Sequence, residues 1–473
     1  MKYNYAKFLQ YTFFSIFILS FIIFIFLNYF GSNYPYFDHD TAFFSYMGRQ
    51  LLNGYSFNEI VFDNKLFNNV IIYGLIDQIT LKGQTVILSI IFYPLTALLI
   101  LQVYFKLDYE LFSKNNFVNF FFIFSIYMLI NSKYLGISAN SELISNFLIA
   151  FIIFLLIDTL RSYKNRNIIL ISFSTTFLFF FNTSAILNLA LPLIYLFLSH
   201  KIYQKISFYI SCLCGLFLFF LYSLIIFEYT KSDFKIYFLN FISFLPHYSD
   251  EIKLTTRLLT IYKIIIPNLI IFIPPLVFYL MDIKKFNSND KVISLFALNT
   301  IFSIVIIGNP YEHYFSYFTV PITLILFKLI NSNSTIFLRL IIIFTFLYKL
   351  SILSFKTFET YRDHSKWDLL ENTKNKYNEK IDKERYVLSI KDGHIKHFLY
   401  DFKTNQKYLF FAHSVWVYSV LEQDYWIEEL TKYDYQFISI KYQLCEDYKF
   451  YDLCKRINQN YEFDNELGLY KKI

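Results

Sequence analysis

The chain has 473 residues, 56% of them apolar and 22% aromatic, with 17% charged and a net charge of +7. That composition excludes a soluble globular protein, because several apolar runs reach the roughly 20 residues that cross a hydrocarbon core about 30 Å thick. No internal repeat, glycine-rich phosphate loop or HxxxH metal pattern occurs, and no nucleic-acid partner is expected.

In chain order, Lys2 and Lys7 flank the start of an apolar run from Phe8 to Phe30. The run is longer than a signal-peptide core and no small-residue cleavage site follows, so it reads as a retained anchor with the N-terminus inside. Apolar runs predict about eleven transmembrane helices, over 10–30, 84–105, 117–133, 143–160, 168–184, 185–199, 206–228, 262–281, 292–308, 313–331 and 336–354. Segment 66–80 is too short to span and contains Asp77, which fits an interfacial or re-entrant helix.

Basic residues fix the orientation. The segments that lie inside hold Lys2, Lys7, Lys106, Lys114, Arg161, Lys164, Arg166, Lys201, Lys205, Lys284, Lys285 and Lys291. The short outer loops 134–142, 183–186 and 309–312 hold none, with Lys133 at one border. Twelve against one places the C-terminus outside by the positive-inside rule. Three larger pieces then share the outer face: 31–83, about 229–261, and the tail after 355.

The tail is different material, with 19 basic and 20 acidic residues, so the net charge comes from the membrane part. ERYVLSI, KYLFF, YQFISI and LGLYKKI read as strands, and 363–380 and 424–432 as helices. The expected fold is a multi-pass α-helical membrane protein, with a membrane module over 1–354 and a small extracytoplasmic α/β domain over 355–473. Cys445 and Cys454 lie in the tail, where an outer location permits a disulfide. Cys212 and Cys214 lie in an apolar span and read as packing residues. Lys328, near a predicted helix end, reads as snorkelling.

Charged residues beside a bilayer are costly, and the first outer segment holds Asp38, Asp40, Arg49, Asp63 and Lys65. Asp40 opens a helical pattern through Ala42, Phe43, Tyr46, Met47, Leu51 and Leu52 that Gly54 ends. One reading is an amphipathic surface helix capped by Asp40; the other is a site for acid–base work on a charged lipid head group. Asp38 and Asp40 also form a D-x-D pair of the kind that holds a divalent ion, so metal dependence stays open.

The run Asp40-x-Ala42-x-x-x-Tyr46-x-Gly48-Arg49-x-Leu51-Leu52-x-Gly54-Tyr55, followed by Asp63 and Lys65, resembles membrane glycosyltransferases of the GT-C superfamily, the protein O-mannosyltransferase and aminoarabinose transferase group in particular. Two further segments match. SANSELISNFLIAF places Glu142 where that family has an N-x-E motif, and GNPYEHYFSYFTVPITLIL aligns Tyr311, His313, Tyr314 and Pro321 with its late outer motif. Thr41, Leu66–Phe67 and Asn309 depart from the pattern.

The resemblance implies a GT-C-like fold and transfer of a sugar, with inversion, from a polyprenyl-phosphate carrier to a lipid, glycan or protein acceptor. The setting it implies is the outer face of a bacterial inner membrane. Asp40 is then the base and Asp63 a second catalytic carboxylate. Arg49, Lys65 and His313 are candidates to meet the leaving phosphate, with Glu142 and Tyr314 also binding substrate. A lipid-linked-sugar flippase, a polysaccharide transporter and a glycan polymerase or ligase are the rival readings. A transporter would want ionisable groups deep within its spans.

Overall fold

A computed structural model of the chain describes residues 39–57, 67–79, 84–104, parts of 119–131, 141–199, 206–239, 242, 255, 258–259, 261–281, 286–307, 312–331, 386–390, 423–440, 445–446 and 448–473. The expected spans 10–30 and 336–354, the helix 363–380 and the strand 407–411 lie outside these residues. The described elements are mostly helical: α1 (His39–Leu52), α2 (Phe67–Ile79), α3 (Gln84–Tyr104), α4 (Ser141–Arg161), α5 (Asn165–Phe179), α6 (Ala190–Leu198), α7 (Ile206–Tyr229), α8 (Ile266–Met281), α9 (Ser288–Ile307), α10 (Thr319–Asn331), α11 (Gln423–Lys432) and α12 (Tyr451–Asn460). A 3₁₀ helix, Glu312–Phe318, leads into α10. Strands β1 (Val387–Ile390), β2 (Phe437–Ile440), β3 (Tyr461–Asp464) and β4 (Leu469–Lys472) form one sheet.

The chain divides into two compact units, residues 1–33, 82–223 and 252–361 in one and 34–81, 224–251 and 362–473 in the other. The second unit draws together the three stretches that basic-residue counting assigns to the outer face. It therefore includes more than the expected tail domain.

Four described helices are long and apolar enough to cross a membrane: Ile87–Tyr104, Ser141–Arg161, Ile206–Tyr229 and Ser288–Ile306. α7 leaves Leu213, Phe217, Leu218, Phe220 and Ile225 exposed. Such a face is unfavourable in water and needs no cover in lipid. The expected pair of helices over 168–184 and 185–199 is present as α5 and the stretch Thr183–Leu198, but neither is among the described helices long and apolar enough to cross a membrane. α5 ends at Phe179, and a short helix at Thr183–Ile186 continues through a 3₁₀ turn at Leu187–Leu189 into the nine residues of α6. Asparagines interrupt the apolar run there: Asn188 Nδ2 donates back to the Ala185 carbonyl at 3.0 Å.

Helix ends in the first unit carry the charge that the peptide dipole favours. α4 has Glu142 in its first turn and Arg161 in its last. α9 opens on a reciprocal cap: Asp290 N donates to Asn287 Oδ1 at 3.0 Å and Asn287 N to Asp290 Oδ2 at 3.1 Å. Lys328 is not a snorkelling lysine. Its Nζ pairs with Asp290 and lies 5.4 Å from the Tyr279 ring centroid and 5.3 Å from that of Phe286. The buried Asp290 carboxylate needs that partner more than the lysine needs solvent.

In the tail, β1 runs parallel to β2, while β4 lies antiparallel to β2 and β3, in the order β1-β2-β4-β3. Leu388, Ile390 and Ile438 of the sheet, Trp426 of α11, Leu453 and Ile457 of α12, and Tyr461 form its core. Cys445 and Cys454 are disulfide-bonded, with Cα atoms 5.7 Å apart. The bridge ties the segment before α12 to the helix itself. A compartment that keeps thiols oxidised suits such a bond.

Glu429 on α11 is buried and accepts a bond from the Tyr435 hydroxyl at 3.2 Å. Burial raises its carboxyl above the ordinary range, against the lowering effects of Tyr435 and Lys432. A raised carboxyl contributes stability that is complete below the ordinary carboxylate range and is lost as pH climbs through the raised value. Glu429→Gln is therefore expected to flatten the pH dependence of this domain's stability and to raise it at neutral pH. Hydrogen exchange of the β2 amides, corrected for intrinsic rates, reads the effect. An unchanged pH profile would contradict it.

Candidate functional site

In the second unit, Gly48 and Gly74 let α1 and α2 meet backbone to backbone. A Cβ placed on Gly74 would sit 2.5 Å from the Gly48 Cα. Beside this crossing, Arg49 makes a bidentate pair with Asp77, Nε to Oδ2 at 2.7 Å and Nη2 to Oδ1 at 3.2 Å. The Asp77 side chain is 2% exposed and that of Arg49 14%. Arg49 thus has its charge offset by Asp77. Asp40 lies in the first turn of α1 and Arg49 in its last, nine residues on, about 13 Å along the axis.

The residues of α1 from Phe43 to Gly48 are all buried, Ser45 included. An amphipathic surface helix would leave one face in water, so that reading of α1 is set aside. Gly54, at φ 100°, ends the helix in the left-handed region that favours glycine.

Asp38, Asp63 and Lys65 lie outside the described residues. The residues on either side of 58–66 are described and anchored. Phe57 N donates to Ser232 Oγ at 2.7 Å and Phe67 N to the Tyr237 hydroxyl at 3.0 Å. The rings of Phe57 and Phe67 lie 5.4 and 5.1 Å from that of Phe227. The segment that carries α1 and α2 is therefore tied at two points to the stretch around 227–237, a pairing separated by about 170 residues.

In the first unit a second polar group forms around Glu142, which is 3% exposed. Ser141 Oγ donates to Glu142 Oε2 at 3.3 Å. Asn182 Nδ2 donates to the Tyr317 hydroxyl at 2.9 Å and, more weakly, to Ser141 Oγ at 3.4 Å. Ser184 Oγ donates to Asn182 Oδ1 at 2.6 Å. Glu142 also acts electrostatically on the buried Tyr317 hydroxyl. Asn182 and Ser184 are only half-buried. The group thus runs from a buried carboxylate to partly open amide and hydroxyl groups, chemistry suited to polar hydroxylated ligands.

Tyr314 belongs to the same 3₁₀ helix as Tyr317, with ring centroids 6.5 Å apart. His313 lies in that helix too. Asn182, Ser184 and Tyr317 were missed from sequence, since isolated asparagines, serines and tyrosines carry no motif. The signal that could have found them is Asn182 itself, an amide in an apolar run next to a predicted outer loop. Among the described residues no three His, Cys, Asp or Glu side chains are grouped to hold a metal. No protein-family model matches the chain, and no curated protein matches it either.

Proposed function

We propose that this chain is an inverting membrane glycosyltransferase that moves a sugar from a polyprenyl-phosphate carrier to a lipid, glycan or protein acceptor. In this reading about eleven helices cross a bacterial inner membrane, and the C-terminus lies outside. The acceptor hydroxyl gives its proton to Asp40, its oxygen attacks the anomeric carbon, and the carbon–oxygen bond to the lipid phosphate breaks with the electron pair leaving on phosphate. A hydroxyl is too weak a nucleophile unaided, and a positioned base contributes typically 10²–10⁴-fold. Lys65 and His313 are the candidates to stabilise the departing phosphate. Asp63 assists Asp40, while Glu142, with Asn182, Ser184 and Tyr317 beside it, binds sugar hydroxyls. The metal question stays with Asp38 and Asp40.

The observation that carries this reading is the second unit. Three stretches far apart in sequence, all assigned outside by charge counting, belong to one compact body that includes the helix of Asp40. The resemblance of that helix to GT-C enzymes supplies the chemistry. The transporter reading fares worse against the described charges. Glu142 and Asp290 lie in first turns of their helices and Arg161 and Lys328 in last turns, not at mid-span. The test is transfer by the purified chain from a polyprenyl-phosphate sugar, with product stereochemistry determined; no transfer from any such donor would count against it.

A further inference from the structure

A buried polar knot lies one turn along α4 from Glu142. Asn146 Nδ2 donates to the Ser316 carbonyl at 3.2 Å, and Thr319 Oγ1 donates to the same carbonyl at 2.6 Å. Thr319 Oγ1 also approaches Asn131 Oδ1 at 3.4 Å, and Asn131 Nδ2 approaches the Tyr93 hydroxyl at 3.4 Å. Within this knot three polar atoms have no bonding partner: the Tyr127 hydroxyl, Asn146 Oδ1 and Ser316 Oγ. All three residues are 0% exposed. The Tyr127 hydroxyl lies beside Thr96, Thr319 and Asn146, and none of these contacts has the geometry of a direct hydrogen bond.

Groups of this kind among apolar helices are destabilising unless something satisfies them, and a bridging water is the usual partner of buried polar atoms that make no direct bond to one another. We infer that Tyr127, Asn146 and Ser316 bind an internal water molecule. The donor and acceptor inventory balances. Asn146 Oδ1 accepts, since its amide nitrogen is already spent on Ser316, while the two hydroxyls each donate or accept. Water donating to Asn146 and to one hydroxyl, and accepting from the other, satisfies all three atoms. A buried water typically makes two to four bonds, which matches. A metal cation suits the knot poorly, because none of its named side chains is a carboxylate and a buried charge without a counter-charge is costly.

The water has a structural consequence. It joins α4 and the 3₁₀ helix Glu312–Phe318 to the helical stretch that holds Tyr127, and so fixes the register of Tyr317 against Glu142. The inference does not depend on the transferase reading, because it concerns only how these elements are held.

Tyr127→Phe and Ser316→Ala each delete one unpartnered atom and little else. With the purified full chain in detergent, each is expected to lower the Tm by a few degrees, and the double variant to lower it no further than the larger single change. A rise in Tm in either single variant would mean that an unsatisfied group had been removed, and would overturn the inference; additive losses would do the same. A high-resolution density map is expected to show one peak within hydrogen-bonding distance of all three atoms, and an empty site would overturn it. Exchange of sodium for choline is expected to leave the Tm unchanged. A drop would assign the site to an ion rather than to water.

Discussion

Alanine at Gly48 or at Gly74 is expected to lower the thermal stability of the chain, although both positions are helical and alanine is the better helix former by about 1 kcal/mol. The opposite sign follows from the crossing of α1 and α2. A Cβ on Gly74 would lie 2.5 Å from the Gly48 Cα, and backbone on both sides cannot turn away as a flexible side chain could. Overpacking of this kind costs about 1–3 kcal/mol. Separation of the helices also draws Arg49 from Asp77, and breaking a buried pair costs about 3–5 kcal/mol when one charge is left without its partner. Thermal unfolding of the purified chain measures this. Asp77→Asn should reproduce the larger part of the loss. Stabilisation by Gly74→Ala would show that the helices do not meet there.

The second large effect concerns chemistry. Asp40→Asn is expected to reduce sugar transfer by about 10²–10⁴-fold, the range of a lost general base, with little change in stability. Glu142→Gln is expected to act differently. It keeps the shape and the bond from Ser141 while replacing the carboxyl group, so it should weaken donor or acceptor binding more than turnover. Steady-state kinetics with a polyprenyl-phosphate sugar separate the two. Equal loss of kcat in both variants would contradict the division of roles, and full activity of Asp40→Asn would remove Asp40 as the base.

Long-period signals were the legible part of this sequence. Uninterrupted apolar runs announced the helices Ile87–Tyr104, Ile206–Tyr229 and Ser288–Ile306, and the strands Val387–Ile390, Phe437–Ile440 and Leu469–Lys472 lie within alternating or apolar segments read as strands. β3 was not legible, because YEFD holds two acidic residues and faces outward over much of its length. α12 was missed because its buried stripe is only Leu453, Cys454 and Ile457 in a polar sequence.

Pairings across long separations were hidden for a different reason. Nothing local links Arg49 to Asp77, Phe67 to Tyr237, or Asn182 to Tyr317. A charged residue in sequence shows its sign but not its partner, so Asp77 was not foreseen beside Arg49 and Lys328 read as a snorkelling side chain. Asparagine in an apolar run has the same ambiguity: Asn182 is part of a polar group while Asn188 bonds its own turn. The carboxylate Glu142 was legible through the motif in SANSELISNFLIAF and its place at the start of a helix, but not through its partners.

The central claim is that the chain consumes a lipid-linked sugar outside the cytoplasm. It is tested most directly by mass spectrometry of the polyprenyl-phosphate sugars and surface glycans of cells lacking this chain, with the wild type and Asp40→Asn restored in parallel. The account predicts that one polyprenyl-phosphate sugar accumulates, that one glycan or lipid loses the corresponding sugar, and that only the wild type reverses both. An unchanged profile, or full reversal by Asp40→Asn, would contradict it.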